Sequence, residues 1–186
     1  TFSISVSGLA QNTNSIYATA IDALGNTSIS ASSTIFVDSL APNAPVITTN
    51  GGADYTTMNT TVALQGTCDA DTNKILVNNS QTGVTYTAGN TTWSYAGTLS
   101  PGLNTFSVVA VDALNNTSNA DSIKVTRDTN LPADPMINAV NTPTSNKTQV
   151  LSGTKATDAL TINVTVQTAT VGTVTYPNST SWQVTL

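Results

Sequence analysis

The sequence has no histidine and no glutamate, one cysteine, and only five basic residues against ten acidic ones, all of them aspartate. Without histidine a Ser-His-Asp type of triad has no base, and soft-metal sites lose their nitrogen ligands. The lone thiol, Cys68, cannot close an internal disulfide; it reads as a free thiol, with an interchain bond as the other reading. A net charge of −5 without clustered Lys and Arg excludes a nucleic-acid footprint. No apolar run approaches the roughly 18 residues a membrane helix needs, so no segment reads as membrane-spanning. Carboxylates leave hard, oxygen-bound cations such as calcium open.

What the sequence does have is a repeat. Residues 14–42, NSIYATAIDALGNTSISASSTIFVDSLAP, are echoed by 104–132, NTFSVVAVDALNNTSNADSIKVTRDTNLP. Ile16, Ala20, Asp22, Asn26, Asp38 and Pro42 correspond to Phe106, Ala110, Asp112, Asn116, Asp128 and Pro132, each pair 90 positions apart. A fixed period over independent landmarks marks a tandem array of domains.

Within the period, short apolar alternations are punctuated by Gly, Asn, Asp and Pro about every ten residues, which predicts an all-β sandwich of seven to eight strands. Residues 43–132 form one complete unit. A Pro42-x-x-Pro45 lead-in is followed by strands at Val46–Ile47, Val62–Leu64, Ile75–Val77, Val84–Tyr86, Trp93–Tyr95, Phe106–Ala110 and Ile123–Val125. The expected core is Leu64, Ile75, Val77, Trp93, Tyr95, Phe106, Val108, Ala110, Ile123 and Val125, with Trp93 as its largest member rather than a sugar-stacking platform.

Residues 1–42 carry a C-terminal half of such a unit: a strand at Phe2, Ile4 and Val6, then two strands around the Leu24-Gly25-Asn26 turn. Residues 133–186 restart it, Leu151, Gly153, Ile162, Val164 and Trp182 matching Leu64, Gly66, Ile75, Val77 and Trp93, while Lys155 stands where Cys68 was. Three strands cannot close a sandwich. The halves are expected to be completed either by adjoining residues of a longer array or by the neighbouring copy, head to tail; both readings give a linear assembly.

The stretch WSYAGTLSPGLNTFSVVAVDALNNTS, with its copy IYATAIDALGNTS, resembles the bacterial immunoglobulin-like domains repeated in adhesins, surface-layer and fibre proteins and accessory modules of exported enzymes. The resemblance covers the whole chain. It implies tandem immunoglobulin-like β-sandwiches on an extracellular bacterial surface, with neighbouring copies or adjacent repeats as partners. One departure, Asn115 where Gly25 stands in the first copy, is tolerable because asparagine enters left-handed turns.

In that fold the loops between strands B and C and between F and G share the end at which the chain comes in, and strand G leaves at the other. Stacking would bring Asp38 toward Asp69, Asp71 and Asp112, and Asp128 toward Asp158. Four converging carboxylates repel unless a cation holds them, and calcium takes such oxygen ligands; similar large adhesins stiffen junctions with it. The competing reading has Asp22 and Asp112 capping their own turns while Asp38 and Asp128 fix the linker.

Asn-x-Ser/Thr triplets at Asn26, Asn59, Asn78, Asn90, Asn115, Asn116, Asn146, Asn163 and Asn178 are expected by chance in so Asn- and Thr-rich a chain. Asp69 and Asp71 lie in no pocket that would make them a glycosidase pair. Lys74 and Lys124 lack counterparts in the other copies, which argues against a crosslink. The reading is therefore a structural repeat segment of a surface stalk, fibre or layer, not an enzyme; the alternative is an adhesin or carbohydrate-binding module.

Overall fold

A computed structural model describes residues 3–140 and 142–186; Phe2 lies outside them. Two compact units divide the chain, residues 1–129 and 130–186.

The first unit opens with a hairpin, β1 (Asn12–Ala18) antiparallel to β2 (Ala31–Val37), with Ile16 opposite Ser33 and Asn12 opposite Val37. The expected strand at Ile4 and Val6 does not form; both side chains are exposed. A strand exists only where a ladder partner satisfies its backbone, and none flanks this segment among the described residues.

The complete sandwich follows, with β3 (Val46–Ile47), β4 (Tyr55–Thr57), β5 (Thr61–Thr67), β6 (Lys74–Val77), β7 (Val84–Thr85), β8 (Thr92–Thr98), β9 (Gly102–Val111) and β10 (Asp121–Arg127). They make two four-stranded sheets, ordered β3-β5-β8-β7 and β4-β10-β9-β6. This is the layout of an immunoglobulin-like sandwich of eight strands. Strand β5, Thr-Val-Ala-Leu-Gln-Gly-Thr, shows how the sequence specifies it: Val62, Leu64 and Gly66 are buried while the Thr, Ala and Gln between them face water. Strand β4 was not foreseen, for Tyr55-Thr56-Thr57 lacks apolar alternation and pairs in parallel with β10.

Both sheets contribute to one core. All the expected core residues are buried except Tyr95, which packs partly buried against Phe106 at 5.7 Å between ring centres; Ile47, Val62 and Leu99 join them. Trp93 faces Gly66 across the β5–β8 pair, and its indole Nε1 donates to the Thr67 carbonyl at 3.1 Å. A side chain on Gly66 would overlap that indole, so the glycine is the recess in which the tryptophan lies.

The second unit repeats half of this plan. β11 (Met136–Ile137), β12 (Val150–Thr154), β13 (Thr175–Asn178) and β14 (Ser181–Thr185) form one sheet in the order β11-β12-β14-β13. Trp182 faces Gly153 and donates to the Thr154 carbonyl at 3.2 Å, the same lock as Trp93 on Gly66. The strand expected at Ile162 and Val164 is absent. Its counterpart β6 takes its ladder from β9, and no β9-like strand is described in this unit.

Candidate functional site

The chemistry-bearing side chains gather where the hairpin meets the sandwich, around residues 38–47. Each Asp-Ala-Leu-x-Asn turn is closed by its own aspartate. Asp112 Oδ1 accepts from the Leu114 and Asn116 amides at 2.9 and 2.8 Å, and Oδ2 accepts from Asn116 Nδ2 at 2.7 Å. Asp22 makes the same three bonds to Leu24 and Asn26 at 2.9, 2.9 and 2.8 Å. Ser118 and Ser28 complete the pattern, each hydroxyl accepting from the amide of Ala110 or Ala20 at 2.9 Å.

These bonds set the electrostatics. Burial pulls the Asp112 carboxyl upward, but the Asn116 side chain and the Asn116 and Leu114 amides hold it, on balance, below the usual aspartate range. At exposed Asp22 the Asn26 side chain comes first, then its backbone amide, and the shift is again downward.

The linker is held at several points. Asp38 Oδ1 accepts from Gln11 Nε2 at 2.7 Å and from the Leu40 amide at 3.1 Å. The Asp38 carbonyl accepts from Asn116 Nδ2 at 3.1 Å. Asp69 Oδ2 accepts from both the backbone and the side-chain amide of Asn43, at 3.1 and 2.7 Å. Asp121 Oδ2 takes the Ile47 amide at 2.8 Å, and Pro42 and Pro45 are buried.

Asp38, Asp69 and Asp112 therefore all serve the hairpin–sandwich junction, each through protein N–H donors. Asp71 is exposed in the loop beside Asp69, Asp128 follows β10, and Asp158 is exposed in the second unit. Among the described residues no three His, Cys, Asp or Glu side chains stand close enough together to hold a metal ion. The two grips at Asn43 and Asn116 carry no distinguishing signal in a sequence this rich in asparagine.

Cys68 is half-buried with its Sγ 3.6 Å from the Asn90 carbonyl. Burial, and the thiol beside it, push the Tyr86 hydroxyl up to about 12; it lies 2.8 Å from the Thr72 carbonyl. In the second unit Lys155 Nζ instead donates to the Ala159 carbonyl at 2.7 Å and sits over the Tyr176 ring. A polar groove of about 490 Å³ runs past Gln65, Thr67, Thr85, Tyr86, Asn90 and Thr92. Trp93 contributes to its wall but is only 3% exposed, and offers no stacking face to a sugar. Lys74 reaches Asn115 Oδ1 at 3.2 Å, and Lys124 is exposed.

No protein-family model matches the sequence. No curated protein matches it either. Among solved structures, fibronectin(III)-like modules of Clostridium thermocellum CbhA align over 66% of this chain and 66% of theirs, at 20% identity and a TM-score of 0.40. The sialic acid binding region of a Streptococcus sanguinis adhesin aligns over 74% of this chain and 52% of its own length, at 15% identity and a TM-score of 0.32. The chain spans 66% of the first of these and 52% of the second.

Proposed function

We propose that the chain is a segment of an extracellular bacterial surface protein built from tandem immunoglobulin-like units, and that it serves as a stalk, fibre or layer element rather than as an enzyme. The observation that carries this reading is the built junction. Buried Pro42 and Pro45, the Asp69 grip on Asn43 and the Asn116 grip on Asp38 hold the hairpin and the sandwich in a set relation. A spacer needs that; a catalyst does not.

Head-to-tail completion of half units belongs to the same proposal. The hairpin matches β9 and β10, which in the complete sandwich cover the β3-β5-β8-β7 sheet, yet its Ile35 and Ile16, at the positions of buried Val125 and Phe106, are exposed and half-buried. Adjoining residues of the same polypeptide or a neighbouring copy would cover them, since edges and apolar faces of this kind favour pairing. Calcium enters as a secondary proposal: the ion would have to displace the amide partners of Asp38, Asp69 and Asp112.

Electron microscopy of the native material, with and without a chelator, tests the reading. Rods or filaments with an axial repeat of domain length are expected. Isolated compact particles overturn it, and an axial length and melting temperature that ignore chelation remove calcium alone.

A further inference from the structure

The two Asp-Ala-Leu-x-Asn turns are the same object in two situations. Every turn bond of Asp112, Asn116 and Ser118 has its counterpart at Asp22, Asn26 and Ser28, within 0.1 Å for the Asp–Asn and Asp–Leu contacts and within 0.2 Å for the serines. The backbone agrees: Asp22 N reaches the Asn26 carbonyl at 3.0 Å, and Asp112 N the Asn116 carbonyl at 3.1 Å. One bond differs. Asn116 Nδ2, already holding Asp112, gives a second hydrogen bond to the backbone carbonyl of Asp38, 78 residues earlier. Asn26 Nδ2 holds Asp22, and among the described residues bonds nothing further.

An amide nitrogen has two donors, and the turn uses one of them. The carboxylate that takes the first also fixes the rotamer that aims the second. The turn therefore stands ready before any partner arrives, and docking a carbonyl on it orders no further side chain. The partner strand end is prepared as well. Gln11 and the Leu40 amide hold the Asp38 carboxylate; four residues later Pro42 is buried.

We propose that Asn116 is a preformed latch: its amide, aimed by Asp112, grips the carbonyl of Asp38, the residue that follows β2, and fixes the angle between hairpin and sandwich, successive repeats on the tandem reading. The partner it fits is a strand end of the Asp38 type, Asp-x-x-x-Pro, and not a small molecule or an ion. Asp69 on Asn43 is a second grip of local kind, since the second unit has Ala133 at the position of Asn43 and cannot repeat it.

The proposal rests on the tandem reading, but its test does not. Residual dipolar couplings of the intact chain report the orientation of β1 and β2 relative to β5 and β8. In the parent, hairpin and sandwich are expected to share one alignment. Asn116→Ala is expected to reduce the hairpin couplings about two-fold or more while β5 and β8 keep theirs. Asn26→Ala, which removes the same turn bonds without a latch, is expected to leave the relative orientation unchanged.

Should Asn116→Ala fail to fold, Asn116→Ser, which can serve the turn but is too short for the linker, gives the same readout. Parent-like hairpin couplings in the folded Asn116 variants overturn the latch. So does an Asn26→Ala variant that loosens the hairpin as much. Compact particles in the microscope with a working latch would sink the stalk and leave the latch; rods with an indifferent Asn116 would do the reverse.

Discussion

Replacing Gly66 by alanine is the sharpest test of how the sandwich is held together. Gly66 faces the core next to the end of β5, with Ile47 on one neighbouring strand and Trp93 on the other. A Cβ there would overlap the Trp93 ring and the Val46 carbonyl, neither of which can give way alone: the indole is tied to Thr67, and Val46 is paired in β3. Overpacking of this kind costs roughly 1–3 kcal/mol, and losing the indole hydrogen bond adds about 0.5–1.5 kcal/mol. The smaller unfolded-state entropy of alanine offsets about 0.4–1 kcal/mol. The net expectation is about 0.5–4 kcal/mol. With a urea dependence of about 1 kcal/mol per molar for a domain this small, the midpoint falls by at least about 0.5 M. The Trp93 indole proton, followed through a urea titration by nuclear magnetic resonance, reads this directly. Gly97→Ala is the control. The atoms nearest its added methyl belong to the Tyr95 side chain, whose phenol end can swing away. A Gly66→Ala midpoint within about 0.3 M of the parent, with the indole signal unmoved, would show that the recess does not hold the ring.

Other consequences follow from the same geometry. Leu64→Ala, at a fully buried position of the core, should lower unfolding free energy by about 2–5 kcal/mol, measured by chemical denaturation. Asn104 accepts from the Ser100 amide and donates to the carbonyls of Ser100 and Gly102; Asn104→Ala should remove about 1–3 kcal/mol by the same assay, more than Asn14→Ala does in the exposed hairpin. Asp112 has a lowered pKa in the folded chain, so the unfolded state binds its proton first as pH falls. Its stabilisation is then complete above about pH 4, the ordinary aspartate range, and is lost as pH drops through the folded value. Asp112→Asn should therefore flatten the acid limb of a melting-temperature profile; an unchanged limb would remove Asp112 as its source.

The strands were legible where alternation met a partner. Thr61–Thr67 and Asp121–Arg127 announce their buried faces residue by residue; the expected core is buried apart from half-covered Tyr95, and Ile47, Val62 and Leu99 add to it. Ile162 and Val164 alternate equally well and form no strand, because alternation specifies a face and not a ladder. Tyr55–Thr57 forms one without alternation, since parallel pairing at a sheet edge asks little of side chains. At the junction the sequence shows carboxylates but not what satisfies them: an amide and a cation both complement a carboxylate, and only placement reveals that Asn43 and Asn116 are there. The Asp22 and Asp112 turns were legible as self-capped turns, because Asx capping is local in sequence.

The contact between Asn116 and Asp38 joins unlike surfaces, a donor on the sandwich and an acceptor on the hairpin before it. Two donors cannot bond to each other, nor can two carbonyls, so such a joint has a polarity that a twofold interface lacks. Contacts of this heterologous kind close into rings or extend indefinitely, according to the rotation each step imposes. On the tandem reading proposed above, a repeat that carries the turn at one end and the aspartate-ended strand at the other already holds both parts. Duplicating its coding segment would lengthen the array without inventing an interface, and deleting a copy would shorten it without exposing an unmatched one.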